Sequence, residues 1–509
     1  MSDARDPSCR RLPRRAFLAD LGMGATGLAL ADLLRRDGVV RAAEVPPPAA
    51  AAGRGAAGHA KAAVAAAVPH FAPRAKRVIW LFMVGGTSHL ESFDPKPELN
   101  RWAGKPMGDT PHKAILDSPF TKNVRIAVEN DANGHIRPTL YPLQVGYRKR
   151  GQSGTEVSDW FPHLGECVDD IAVVRSMWTT NDNHGGQLQF HTGRHSLEGP
   201  FPTIGSWVHY GLGSENESLP SFVVLGTPLA DCCGGQHGHG SDYLGPEHRG
   251  VRLNADPKNP LPFAAPPAGT YREEQEKQFE LLRRLNAHAV AEYPEDAALR
   301  ARVKSYELAF RMQSAVPETM RFDEESRATQ ALYGLDDGTT RPFGQLCLAA
   351  RRLAERGVRF VQVFHGSNGG AGAWDGHSGL KAGHAKLCAQ TDKPIAGLLK
   401  DLKSRGLLDD TLVVWGTEFG RTPGAQGGDG RDHHPFGFSV WMAGGGIRGG
   451  VVHGATDELG FHAVEDRHYV TDVHATVLHQ LGLDTRRMVV PGRKRLEIDF
   501  GNVMTKIIA

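Results

Sequence analysis

The sequence holds no surplus of charge of either sign: 59 lysines and arginines stand against 57 aspartates and glutamates, a formal net charge of +2. That balance creates no field to attract nucleic acid or an anionic membrane surface, and neither is expected as a partner. Cysteine is scarce as well. Cys9, Cys167, Cys232, Cys233, Cys347 and Cys388 show no zinc-ribbon spacing, and no disulfide framework can be read from them. Gly-x-Ser-x-Gly is absent and no serine sits on a strand-to-helix elbow, which removes the usual signature of a Ser-His-Asp hydrolase. Neither a P-loop nor a dinucleotide fingerprint follows the first apolar run, so nucleotide cofactors are not implied. No internal repeat divides the chain.

Histidine, by contrast, is plentiful. Its 24 residues outnumber the 9 tyrosines and the 8 tryptophans, and several fall in short Gly/Asp/His clusters rather than on amphipathic faces. This pattern points to metal binding. The amino terminus carries Arg10, Arg11, Arg14 and Arg15, then Ala16-Phe17-Leu18, a weakly apolar stretch to Leu34 and small residues at Ala42-Ala43. A basic region, a short apolar region and a small-residue segment read as a secretory signal rather than a membrane span, which needs about 20 apolar residues. Paired arginines before Ala-Phe-Leu resemble the twin-arginine type. Residues 1–43 are therefore expected to direct export to the periplasm or beyond, with no membrane span left once they are removed. Cys9 goes with them, so at least one of the five remaining cysteines is unpaired. Residues 44–75 read as a Pro/Ala-rich linker and 76–509 as the folded domain.

Within that domain single apolar runs alternate with helix-periodic segments. Arg77 to Val84 is continuous enough for a strand buried on both faces; Ile171 to Arg175, Ser221 to Leu225, Val358 to Phe364, Leu412 to Trp415 and Ser439 to Met442 follow. Helices are expected over Gly344 to Arg356, Pro394 to Arg405 and Thr471 to Leu481, and residues 271–314 read as a charged helical insertion. Such alternation predicts an α/β protein of three layers, α/β/α, with a mainly parallel sheet covered on both faces. Polar loops follow four of the strands. They carry Glu91 and Asp94; Asn183 and His184; Asp375 and His377; and Glu418 with Asp432, His433 and His434. Carboxylate oxygens and imidazole nitrogens hold divalent metals, and a parallel sheet gathers such loops on one edge. Each group has a plainer reading too. Asp94 before Pro95 can cap a turn, Asp375 can orient backbone, and His433-His434 can pack on Phe436. Arg421 is either a buried partner for a carboxylate or a fork for an oxyanion. Cys232-Cys233 can bind a metal or form a strained vicinal disulfide, and the favoured reading is a Gly-rich loop without a catalytic role.

The segments GGTSHLESFDPKP, NHGG…TGRH, WDGHS, GLLDDTLVVWGTEFGRTP, GRDHHP and TDVHATVLHQLGLD, in that order, resemble the exported family of unknown function numbered fifteen-oh-one, within the alkaline-phosphatase-like superfamily beside the sulfatases. The resemblance covers nearly everything from Lys76 onward. It implies a site for one or two divalent ions (zinc, calcium or manganese). Asp375, His377 and His433 correspond to one centre; Glu418, with Glu91 or Asp94, corresponds to the other. Two departures stand out. Phe419 occupies the place of a second-site histidine, and Asn183-His184 stands where a nucleophilic Cys, Ser or Thr is expected. The reading that follows is a metal-dependent hydrolase of phosphate or sulfate esters acting on a small-molecule or saccharide ester, with metal-bound water or His184 as nucleophile and Arg194 or Arg421 on the anion. The competing reading is a non-catalytic extracellular polysaccharide-binding or assembly protein that keeps the fold.

Overall fold

The computed structural model describes residues 69–122, 137–261 and 271–509. The expected signal and all but the end of the expected linker lie outside the described residues. The chain forms two compact units, and the described part of the smaller one is helix α3 (Arg272–Glu292), within residues 268–293. The larger unit, residues 65–267 and 294–509, contains everything that follows.

Its centre is β1 (Arg77–Met83), whose last six residues are all buried. The pleat sends Ile79, Leu81 and Met83 into one core and Val78, Trp80 and Phe82 into the other, which explains why the run is apolar without alternation. The other strands of the sheet are β2 (Ile171–Trp178), β3 (Phe222–Leu225), β4 (Val251–Leu253), β5 (Phe360–His365), β6 (Thr411–Gly416), β9 (Phe438–Ala443), β10 (Val451–His453) and β11 (His468–Tyr469). Their order is β10-β2-β9-β6-β1-β5-β3-β4, with β11 also paired to β2. Parallel neighbours flank β1 on both sides: Leu81 lies opposite Val363 of β5 and Trp415 of β6. Only β9 runs against the rest, between β2 and β6.

Helices cover both faces, giving the three layers that the alternation predicts. One core joins the sheet to α4 (Ala297–Thr319), α5 (Arg341–Glu355) and α6 (Leu380–Ser404) through residues such as Val316, Leu348 and Ile395. The other joins it to α1 (Gly185–Thr192), α2 (Ile204–Leu212) and α7 (Val470–Gln480) through Phe190, Trp207 and Val477. The segment after β6 differs from the Gly-rich loop expected there. It forms an antiparallel hairpin, β7 (Gly420–Gln426) and β8 (Gly430–His434). Its glycines and charged residues carry no strand signal of their own; burial of Arg421, Arg431 and Asp432 among partners from distant loops holds the pairing instead.

Candidate metal centre

Four side chains converge beyond the carboxyl ends of β2, β5 and β6. One ligand atom each from His184, Asp375, His377 and His433 lies within 4.8 Å of all the others. Local structure accounts for each position. His184 precedes the first turn of α1. Asp375 and His377 follow the loop that leaves β5, and its path is tight: Gly85, with φ of 122°, would put a Cβ only 2.6 Å from the Asp375 amide nitrogen. On the hairpin, His433 and Arg421 are cross-strand partners and so share a face, and both reach the same oxygen of Asp375. Arg421 Nη2 donates to Asp375 Oδ1 at 2.8 Å, and His433 Nε2 lies 3.2 Å from it. Gly430 lets β8 close on the His377 loop, since a Cβ there would meet the His377 carbonyl oxygen at 1.9 Å.

The three rings are oriented alike. His433 Nδ1–H donates to the Asp182 carbonyl at 2.8 Å, His184 Nδ1–H to Glu418 Oε1 at 3.3 Å, and His377 Nδ1–H to the amide oxygen of Gln426. Acceptors on every Nδ1 assign the tautomers and leave each Nε2 to the centre. There, His377 Nε2 and His433 Nε2 face each other at 2.9 Å, His377 Nε2 stands 3.0 Å from Asp375 Oδ1, and His184 Nε2 stands 3.3 Å from Asp375 Oδ2. Lone pairs aimed at one another across such distances call for a cation. Zinc–nitrogen bonds of about 2.0–2.1 Å place neighbouring ligand atoms roughly 3 Å apart, the spacing of these three contacts.

Protons on the Nε2 atoms are the alternative to a cation there, and the electrostatics of the cluster are those of such ion pairs. Burial acts to raise the pKa of Asp375, but hydrogen bonds from His184, His377 and His433 and the Arg421 charge outweigh it, and the carboxyl is held far below the usual range. Burial acts to lower the pKa of His184; bonds to Asp375 and Glu418 overcome it and raise the ring above its ordinary value. His433, deeply buried and close to the Arg421 charge, is pushed down despite its bond to Asp375.

The remaining sequence candidates lie outside this cluster. Glu418 is fully buried and accepts from the Gly85 amide at 2.9 Å, Gln187 Nε2 at 3.0 Å, the Thr417 hydroxyl at 3.0 Å and His184. It is placed to orient His184, one bond away from the centre. Glu91 meets the Arg431 guanidinium through two bonds of 3.1 and 2.8 Å, and Asp94 meets Lys96 at 3.0 Å and the Thr456 hydroxyl. Both early carboxylates are thus neutralised by tethered cations, and among the described residues no second centre assembles around them. Asn183 turns its side-chain oxygen back to the His184 amide at 2.8 Å. Arg194 follows the far end of α1 from His184, paired with Glu198 at 2.7 Å and Asp499 at 3.3 Å. Arg421, the other candidate for the anion, is fully buried and donates to the carbonyls of Gly85, Gly86, Trp374 and Arg431 as well as to Asp375. Its donors are committed to positioning Asp375, the carboxylate-partner reading of the two. Phe419 packs its ring 4.4 Å from that of His433 and 5.6 Å from that of His184.

Three contributors escape the sequence reading. Gln187, one helical turn after His184, donates to Glu418 and to the Ala371 carbonyl. That i, i+3 spacing was an available signal. Gln426 and the Asp182 carbonyl left none, because the hairpin register alone brings them to the rings.

A family model described as "Protein of unknown function (DUF1501)" matches residues 75–508, and the chain belongs to that family. No curated protein matches it. Among solved structures the chain is similar to the lipoteichoic acid synthase LtaP from Listeria monocytogenes (8% identity, 84% of this chain and 77% of that one, TM-score 0.35). It is also similar to the phosphonate monoester hydrolase SpPMH from Silicibacter pomeroyi (11%, 68% and 71%, 0.32) and to the alkaline phosphatase from the Antarctic bacterium TAB5 (11%, 80% and 98%, 0.31).

Proposed function

We propose that the chain is an exported hydrolase of phosphate or sulfate esters that works with one divalent ion held by His184, Asp375, His377 and His433. The observation that carries this reading is the convergence of three imidazole Nε2 atoms and a carboxylate, each imidazole anchored through its Nδ1. Three nitrogens and an oxygen suit zinc or manganese better than calcium, which prefers six to eight oxygens. When bound, such an ion supplies Lewis acidity and an acidified water. The chain's own residues do the rest. Glu418 and Gln187 fix the tautomer and angle of His184, so that ring serves as a ligand rather than as a nucleophile. Arg421 fixes Asp375, and Phe419 covers the His184 and His433 rings on one side and keeps water from them. A small-molecule or saccharide ester is the substrate class. Export rests on the Arg14-Arg15 segment, and replacing both with lysine is expected to retain the protein in the cytoplasm in a fractionation assay. Zinc- and manganese-loaded protein is expected to hydrolyse members of a panel of aryl and sugar sulfates and phosphates; uniform inactivity would refute the reading.

A second reading is favoured by Phe419 and by the committed donors of Arg421: a saccharide-binding protein that keeps the fold and one structural ion. One bound ion per chain, affinity for anionic polysaccharide and no turnover would select it over the hydrolase.

A further inference from the structure

A metal centre accounts for the charged end of an ester but not for the neutral group attached to it, and the geometry points to a site for such a group beside Trp374. Strands β3 and β5 are parallel neighbours, with Leu225 opposite Val363, and a cavity of about 310 Å³ opens beyond their carboxyl ends. This is the edge of the sheet that also carries the Asp375 loop. The buried Phe343 and Phe364 and the half-buried Leu346 give the cavity its apolar lining; Thr227, His365 and Gln390 are among its polar groups. No aspartate, glutamate, lysine or arginine lines it. An ion would enter without a counter-charge, so the cavity selects an uncharged ligand. Its volume falls at the lower end of the roughly 300–1,000 Å³ of small-molecule sites.

Hydrogen bonding fixes what that ligand has to offer. Trp374 Nε1–H, which can only donate, does so to His365 Nδ1 at 3.0 Å. Burial pushes the His365 pKa down to about 4, so the ring is neutral and its hydrogen sits on Nε2, which donates to Gln390 Oε1 at 3.2 Å. The Gln390 amide is thereby set with its oxygen on the ring. Among the described residues no group meets its nitrogen, and that nitrogen is not shielded from solvent. Two amide hydrogens at the cavity wall call for an acceptor oxygen, and each bond from Trp374 through His365 to Gln390 polarises the next. The same chain leads to the metal centre. Trp374 is fully buried, its carbonyl accepts from Arg421 Nη2 at 3.3 Å, and the next residue is Asp375. Its ring lies against two lining residues: it bonds His365, and a Cβ on Gly366, which has a φ of 83°, would stand 2.9 Å from it. The cavity is thus a binding site for an uncharged, hydroxyl-bearing group the size of one sugar, with Gln390 donating to one of its oxygens and the apolar lining covering its carbon face.

That the sugar belongs to the substrate rests on the ester-hydrolase reading, and the test separates the two. Binding of the methyl glycosides of glucose, galactose, mannose and N-acetylglucosamine is measured by calorimetric titration of the full chain, of Gln390→Ala, of Leu346→Trp and of Asp375→Ala. Saturable binding of at least one glycoside in the millimolar range is expected. It should weaken about three- to tenfold in Gln390→Ala, vanish in Leu346→Trp, whose ring fills the cavity, and persist in Asp375→Ala. Gln390 is only half-buried, so its truncation is read in a folded protein, checked by an unchanged melting temperature. Binding of none of the four, or binding indifferent to Gln390→Ala and Leu346→Trp, would overturn the assignment and leave the hydrolase reading intact. Binding that depends on Gln390 in a protein without esterase activity would sustain the cavity and remove the hydrolase. In an active protein, a rise in KM on Gln390→Ala that is larger for sugar esters than for aryl esters puts the substrate's own sugar in the cavity. A rise no larger for sugar esters gives the cavity to a separate neutral saccharide.

Discussion

The loop after β1 and the loop after β5 both bring carboxylates to the same edge of one sheet, buried in the first and half-buried in the second, yet the chain surrounds them differently. Glu91 and Asp94 each face a tethered cation, Arg431 at 2.8 Å and Lys96 at 3.0 Å, with hydroxyls on their remaining oxygens. Asp375 faces Arg421 at 2.8 Å as well, but three imidazole nitrogens also converge on it, their Nδ1 protons directed elsewhere. A carboxylate at the functional edge is thus no sign of a metal by itself. What marks the second loop is that its one tethered cation still leaves three imidazole Nε2 atoms facing the carboxylate.

The sharpest way to break this contrast is metal affinity. Asp375→Ala is expected to lower zinc affinity by more than about 100-fold in a chelator-competition titration, while Glu91→Ala changes it by less than about threefold. Equal losses would mean that the early loop belongs to the centre after all. The complementary measurement is stability. Glu91→Ala leaves Arg431 buried and unpaired, so urea unfolding should show a loss of about 3–5 kcal/mol.

Core histidines provide a further contrast with those of the cluster. Burial pushes His474 down to about 4, and its Nε2 donates to the Phe190 carbonyl at 2.8 Å. The unfolded chain takes up a proton below about pH 6.5 that the folded chain refuses until about pH 4. Stability present above pH 6.5 is therefore lost as pH falls through that window, by about 3 kcal/mol from this residue. His474→Gln, which keeps a donor, should flatten that part of the pH–stability curve. The smallest expected effect is at Glu418, where Glu418→Gln should weaken zinc binding by about 10–100-fold through loss of the charged anchor on His184.

Much of the fold is legible in the sequence because a strand buried on both faces needs no partner to reveal it: β1, β5 and β6 are unbroken apolar runs. The hairpin β7–β8 is not legible, since Gly420, Arg421 and Gly430 have no strand preference and are held by contacts from loops hundreds of residues away. At the site, Asp375, His377 and His433 stand out by residue type and family motif. His184 stands out too, but its role does not. Only the Glu418 carboxylate on its Nδ1 turns a candidate nucleophile into a candidate ligand.

The sequence by itself determined the layered α/β architecture, the edge of the sheet where chemistry gathers and the residue types available there, because hydrophobic periodicity and local composition are properties of neighbouring residues. Tertiary structure alone decided which charges cancel. Arg431 reaches Glu91 across 340 positions and Arg421 reaches Asp375 across 46, and pairing over such separations depends on register and loop path rather than on local sequence. For the same reason Arg421, central in the sequence, became a support for Asp375.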